Sequence, residues 1–427
     1  MFKSSKKIII SGAIGNALEM YDYIIWGLFS VFLSKEFLPP NSDLSDLFVL
    51  FLITYFLRPV GSLLGGMLAD QAGRKRVLTL SIVMMGICTA LIGVLPSYSQ
   101  IGVISVYLLM FIRLIQVFSV GSEYISSVSL LIESCEKNKK GYFGSWAAFG
   151  INAGMLVASL TGALVLFLID MHILPPWGWR FAFILAFITM MFGFWIRNSI
   201  PESQEFISNH ARSEQRSLFN ILKDTLRQLK KQPLESFIVF ALVVFGVGTT
   251  VLMFVYAPIH MTTVNHFSHT QAFVINSVGL GVVTVLVPLM GIMSDLYGRT
   301  RIILTGTISL MLFIMPYIIC LTTGSFSQIL LFHCLMAIPC ASIFAVTPVF
   351  ITDIFPHSVR CSSANLIYSI AAVLGGGFLP VITIKLGQHH HYSPSYILMF
   401  IGAISLIALT LYIKKSNQNT AHLVLVD

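Results

Sequence analysis

Long apolar runs, separated by short polar turns that often carry glycine, set the pattern of this chain. A helix needs about 20 apolar residues to cross a bilayer. Twelve runs are long enough: 8–33, 44–68, 77–95, 101–131, 142–168 and 179–198, then 234–261, 270–293, 302–322, 327–351, 362–384 and 394–413. Between the sixth and the seventh lies the one long polar stretch, 199–233. The pattern predicts an all-α integral membrane protein with 12 transmembrane helices in two six-helix halves. The expected domains are an N-terminal bundle over 1–198, a linker over 199–233, a C-terminal bundle over 234–413 and a tail over 414–427. The opening MFKSSKK resembles the charged start of a signal peptide, but the apolar run after it continues to about residue 33 without a small-residue cleavage site. It is expected to be the first helix, not a removed leader.

Composition agrees. Of 427 residues 10% are charged and 56% apolar, against about 25% charged in soluble domains. The net charge of +8 resides in short loops and not on one basic face, which argues against nucleic-acid binding. With the N-terminus inside, 21 of the 26 Lys and Arg fall on the cytoplasmic side. The positive-inside rule then puts both termini in the cytoplasm of a multi-pass protein, expected in a bacterial inner membrane. Within the linker, LFNILKDTLRQLKK is basic and amphipathic and is expected to lie along the inner membrane surface. The six cysteines form no C-x-x-C pair, and no metal-ligand spacing, nucleotide loop or nucleophile–base pair is present. No cofactor, no metal and no enzymatic activity are expected. His389, His390 and His391 read as a polar outer-loop run.

One motif occurs twice. GMLADQAGRKR, from Gly66 to Arg76, returns as GIMSDLYGRTR, from Gly291 to Arg301, and each copy joins two apolar runs. Gly66, Asp70, Gly73 and Arg74 match Gly291, Asp295, Gly298 and Arg299. This duplicated loop resembles the one between helices 2 and 3, and again 8 and 9, of the major facilitator superfamily.

Charges also occur where a bilayer would not favour them. Glu19, Arg58 and Arg113 fall near mid-membrane, Asp22 is one turn beyond Glu19, and Glu123 lies toward the inner end of the fourth run. A charge in hydrocarbon costs at least about 2.5 to 3.5 kcal/mol, so these groups are expected to converge. Arg113, Gln116 and Glu123 share one helix face, as do Asn16, Glu19 and Tyr23. Three acids against two bases sum to minus one, and one bound proton would neutralise the set. The second half offers no mid-depth carboxylate.

ALEMYDYIIWG, FLRPVGSLLGGMLADQAGRKR, RLIQVFSVGSEY, GYFGSW, GWRFAF and DIFPHSVR resemble the metabolite:proton symporter family, above all its proline/betaine members. Met20, Val117 and Ser122 depart from that family's pattern, the seventh run lacks its paired tyrosines, and no heptads follow Lys415, so osmosensing is not expected. The resemblance implies a monomeric secondary transporter that binds a small solute and a proton in the bilayer and works by alternating access.

The expected function is proton-coupled import of a zwitterionic or carboxylate-bearing metabolite of the proline/betaine type. Arg58 or Arg113 is expected to pair with the solute's carboxylate, with Gln116 also binding the solute and Tyr21, Trp26, Phe149 and Tyr256 facing a cationic end. Glu19, Asp22 and Glu123 are the candidates for proton coupling, and the two loop motifs are expected to gate. The alternatives are import of polycarboxylates such as citrate or a carboxylate siderophore, and an efflux antiporter. Against the last, the fifth run, GSWAAFGINAGMLVAS, has no Gly-Pro pair.

Overall fold

The structure, a computed structural model, describes residues 2–40, 42, 47, 54, 56–121, 123–200, 202, 217–379, 382, 386, 390 and 392–424. Among these, every regular element is helical. Single turns aside, the helices are α1 (Phe2–Leu28), α2 (Ser30–Phe37), α3 (Arg58–Ala72), α4 (Arg74–Val94), α5 (Ile104–Val120), α6 (Glu123–Glu133), α7 (Lys140–Asp170), α8 (Arg180–Asn198) and α9 (Leu218–Lys231). They continue as α10 (Pro233–Val251), α11 (Ala257–Thr263), α12 (His269–Tyr297), α13 (Arg299–Thr323), α14 (Phe326–Ile354), α15 (Arg360–Ala372) and α16 (Ser393–Val424). Eleven helical stretches among the described residues are long and apolar enough to span a bilayer. The expected crossing at 44–68 is helical from Arg58 onward, and most of what precedes Arg58 lies outside the described residues. His389 and His391 lie outside them too.

Local sequence explains where several helices begin and stop. Ser97, Ser268 and Ser325 each precede a glutamine three residues on whose side-chain oxygen accepts the serine N–H, and at Ser268 the serine hydroxyl also accepts from the Gln271 N–H, which completes a capping box. Gly73 and Gly298, the matched glycines of the two loop motifs, have φ of 102° and 93°. That region suits only glycine without strain, so each motif splits what would be one helix into two. Two π-helical turns, Leu252–Tyr256 and Val373–Phe378, interrupt the later helices.

The chain forms two compact units. Unit 1 comprises Met1–Glu136, Trp146–Leu222 and His357–Leu366, and unit 2 comprises Lys137–Ser145, Lys223–Pro356 and Ile367–Asp427. Unit 1 packs α4 on α8 and α5, with α1 against α8, α6 and α4. Its core includes Tyr21, Trp26, Phe29, Phe37, Trp179 and Phe183. In lipid there is little hydrophobic drive between helices, so close packing by small residues matters more. Gly150 and Gly154 of α7 lie on the backbone of α1 at Ala13 and Ala17, where a Cβ would overlap the carbonyl oxygens. In unit 2, α14 packs on α12 and α13, and α16 on α10 and α13.

Candidate functional site

Unit 1 gathers all five of the buried charges that the sequence singles out, on helices α1, α3, α5 and α6. Glu19 is 2% exposed, and its Oε1 accepts a 3.0 Å hydrogen bond from Nη2 of Arg58. Its other oxygen, Oε2, is buried with no hydrogen-bond partner among the described residues. Asp22, one turn on, has both oxygens engaged. Its Oδ2 accepts from Arg113 Nη1 at 3.0 Å, and its Oδ1 accepts from Gln116 Nε2 and Thr89 Oγ1, both at 2.8 Å. Arg113 also donates to Gln116 Oε1 at 2.9 Å and lies 4.9 Å over the Trp26 ring.

Glu123 does not join Arg113. Both of its oxygens are held by Arg197, at the last turn of α8, and Arg197 also donates to the carbonyls of Ser11 and Leu78. With Arg197 included the cluster holds three carboxylates and three guanidiniums, so the fully ionised set is neutral, not minus one. The sequence reading missed Arg197 because its position beside the linker made it look like a loop charge. Thr89 was missed because a threonine in an apolar run carries no signal.

Of the expected aromatic residues, Tyr21, Trp26 and Phe149 belong to unit 1 and Tyr256 to unit 2. The Tyr21 hydroxyl donates to the Ala182 carbonyl at 2.8 Å within the apolar core. Trp26 is buried beneath Arg113. Phe149 is half-buried with its ring 4.7 Å from that of Trp146. Tyr256 belongs to unit 2, in the first π-helical turn, 5.6 Å from the His260 ring.

The loop motifs build two matching clusters, one per unit. In unit 1, Asp70 accepts from the backbone N–H of Cys361 at 3.2 Å and of Ser362 at 2.9 Å, and from the Ser362 hydroxyl at 2.8 Å. It thereby caps α15, placing a negative charge at the positive end of that helix. Gly66 makes room: a Cβ there would lie 2.7 Å from Ser362 Cα. Arg74 reaches Asp70 at 3.5 Å and Glu133 at 3.2 Å, and Glu133 Oε1 also meets Arg360 at 3.0 Å and His357 Nε2 at 3.4 Å.

In unit 2, Asp295 accepts from the N–H groups of Gly141 at 2.7 Å and Tyr142 at 2.8 Å, which caps α7. Gly291 allows this approach, since a Cβ would lie 2.5 Å from Ser145 Oγ. Asp353 there holds Lys140 at 3.2 Å and also Arg299. The correspondence exposes a second repeat: Glu133, Lys137, Lys140, Gly141 and Tyr142 return 220 positions later as Asp353, His357, Arg360, Cys361 and Ser362. Only the acid and one base agree in chemistry, which hid it from the sequence reading.

The sequence pattern of the sugar (and other) transporter family matches residues 8–422. The chain belongs to that family, within the major facilitator superfamily. This transporter is 27% identical over 421 residues to the glycine betaine/proline/ectoine/pipecolic acid transporter of Dickeya dadantii, covering 96% of this chain and 83% of that one. It is 29% identical over 424 residues to the shikimate transporter of Escherichia coli K12, covering 97% and 95%. The proline/betaine transporter of the same strain is 27% identical, covering 94% and 82%. Among solved structures, the proton:xylose symporter XylE bound to 6-bromo-6-deoxy-D-glucose superposes with a TM-score of 0.77 at 16% identity, covering 96% of both chains. The fold is thus the twelve-helix one of this superfamily, and the protein is a multi-pass membrane transporter of small molecules, not an enzyme.

Proposed function

We propose that this transporter imports a small carboxylate-bearing solute, zwitterionic or anionic, together with a proton, by alternating access, and that Glu19 carries the proton. The observation behind this is the inequality of the three buried acids. Asp22 accepts three hydrogen bonds and Glu123 is held on both oxygens, whereas Glu19 has Arg58 on one oxygen and no partner among the described residues on the other. A buried carboxylate with a bare oxygen is the one that gains most from a proton.

Protonating Glu19 cancels its half of the ion pair with Arg58. A solute carboxylate can then take the place of Glu19, through charge-assisted hydrogen bonds of the kind that two guanidinium N–H groups form in parallel. For an anionic solute the loaded cluster, with one proton and one carboxylate added to a neutral set, stays neutral, and a zwitterion's cationic end brings the sum to plus one. Arg113 and Gln116 are committed to Asp22 and hold it in place. One exchanged ion pair accommodates one carboxylate, which disfavours citrate and other polycarboxylates.

The relatives' solutes support the same class, since proline, glycine betaine, ectoine, pipecolic acid and shikimate each carry one carboxylate. The anionic members of this class are supported by the shikimate transporter, which is 29% identical to this chain over 97% of its length.

The loop-motif clusters act as gates in this account. Asp70 and Asp295 cap α15 and α7 when their end is closed, with Arg74 and Arg299 bracing them, and the caps are released when it opens. We place that end in the cytoplasm, in a bacterial inner membrane with both termini inside, and the working unit as the monomer.

The test is binding. Purified protein is titrated with proline, glycine betaine, shikimate and citrate at pH 6 and pH 8, read by thermal stabilisation. A monocarboxylate that stabilises more at pH 6 and fails with Arg58→Gln supports the proposal. Stabilisation by citrate alone, or equal binding to Arg58→Gln, contradicts it.

A further inference from the structure

Glu19 is not alone on its face of α1 in having a bare oxygen. Asn16, one turn before it on that face, is fully buried. Its amide nitrogen donates to the Gly12 carbonyl and to the Ser127 hydroxyl of α6, both at 2.7 Å. The Ser127 hydroxyl gives its own proton to the Tyr124 carbonyl at 2.8 Å, so toward Asn16 it can only accept. These partners fix which way the amide points, because Oδ1 in the nitrogen's place would face two acceptors. The atom left over is Oδ1, a buried acceptor with no hydrogen-bond partner among the described residues.

A bare carboxylate oxygen can take up a proton, as proposed for Glu19. An amide oxygen is far too weak a base for that, so what Asn16 requires is a donor brought to it. We infer that Oδ1 of Asn16 accepts a hydrogen bond from the transported solute, and that the solute accordingly carries an N–H or O–H donor close to its carboxylate. The inference rests on the proposed reading in which that carboxylate exchanges for Glu19 at Arg58. Residues three apart on a helix lie about 5 to 6 Å apart at Cβ. That spacing suits a carboxylate and a donor on one small molecule. Asn16 thereby sorts the candidate solutes. Proline and pipecolic acid carry a secondary ammonium beside the carboxylate and shikimate carries ring hydroxyls. Glycine betaine, with its fully methylated nitrogen, offers no donor and would leave Oδ1 to water.

Two pairs of compounds isolate the donor. N,N-Dimethylproline is proline with its N–H groups replaced by methyls, and 1-cyclohexene-1-carboxylate is shikimate without its hydroxyls. The donorless member is the larger in one pair and the smaller in the other, which separates hydrogen bonding from size. A net hydrogen bond of about 0.5 to 1.5 kcal/mol corresponds to a roughly two- to tenfold difference in affinity.

The full-length protein is titrated with all four compounds at pH 6, and the dissociation constants are read by calorimetry. In at least one pair the donor-bearing member should bind two- to tenfold more tightly, and which pair does so tells an ammonium donor from a hydroxyl. Asn16→Leu, similar in size to asparagine, should weaken that member alone and bring the ratio close to one. Ser127→Ala, which releases one side of the amide, should lower the same ratio, and it carries the test if Asn16→Leu gives no folded protein. Equal binding within both pairs, or a ratio that survives Asn16→Leu, or survives Ser127→Ala where that variant stands in, overturns the inference and leaves the carboxylate reading intact. Failure of all four compounds to bind the unaltered protein overturns both.

Discussion

Arg197, at the end of α8, holds both carboxylate oxygens of Glu123, at the start of α6, and so closes the charge balance of the unit 1 cluster. Both side chains are almost completely buried. Removing one partner of such a pair typically costs about 3 to 5 kcal/mol because the other charge is left buried, whereas replacing both with apolar residues costs far less. Arg197→Met and Glu123→Met should each lower the melting temperature in detergent sharply, and the double variant should recover most of the loss. Additive losses in the double variant would mean that the two groups are not a pair.

Gly15 of α1 gives that pair its space, since a Cβ there would overlap the Arg197 guanidinium and Glu123 Oε1. Gly15→Val should therefore mimic the loss of the pair, with a fall in folded yield close to that of Arg197→Met, measured by size-exclusion chromatography. A normal yield and melting temperature would contradict the geometry.

Tyr21 tests whether the aromatic residues near the charges bind solute or only pack. Its hydroxyl is spent on the Ala182 carbonyl inside the core. Tyr21→Phe should cost about 1 kcal/mol of stability, the worth of one hydrogen bond, and leave the KM for solute unchanged. A tenfold rise in KM would put Tyr21 in the binding site after all.

Asp70 receives three hydrogen bonds from the start of α15. Losing a helix cap costs about 0.5 to 2 kcal/mol, or roughly a two- to thirtyfold shift in the open fraction. Cys361 is fully buried, so its labelling by a maleimide, in protein whose other cysteines are replaced by serine, reports that fraction. Asp70→Ala should raise the labelling within that range, and an unchanged rate would show that the cap does not hold this end shut.

What was legible in the sequence follows from periodicity and from the cost of buried charge. The apolar runs gave the helices because lipid leaves the backbone no other way to satisfy its hydrogen bonds. Glu19, Asp22, Arg58 and Arg113 stood out because charge is rare at such depth, and they do lie together. Partner choice was less legible. Glu123 lies on the same helix face as Arg113, yet it pairs with Arg197, whose long side chain reaches back from a helix end that looks like an ordinary basic loop. Tyr21 is two residues from Glu19 and hence about 200° around the helix, so proximity in sequence did not bring it to the charges. The acids Glu133 and Asp353 stayed hidden because their repeat preserves charge and spacing but little identity.

In the proposed cycle Glu19 takes the proton that drives uptake. The direct test is transport in proteoliposomes, with glycine betaine, proline or shikimate as solute, comparing the unaltered protein with Glu19→Gln in two modes. Solute exchange at equal pH on both sides needs no proton release, whereas accumulation against a gradient does. The unaltered protein should accumulate solute when an inward proton gradient is imposed. Glu19→Gln should still exchange solute, at a rate within about threefold, because a permanently neutral residue 19 gives way to a solute carboxylate at Arg58, and it should lose gradient-driven accumulation. Accumulation by Glu19→Gln equal to that of the unaltered protein, under the same gradient, would contradict the account.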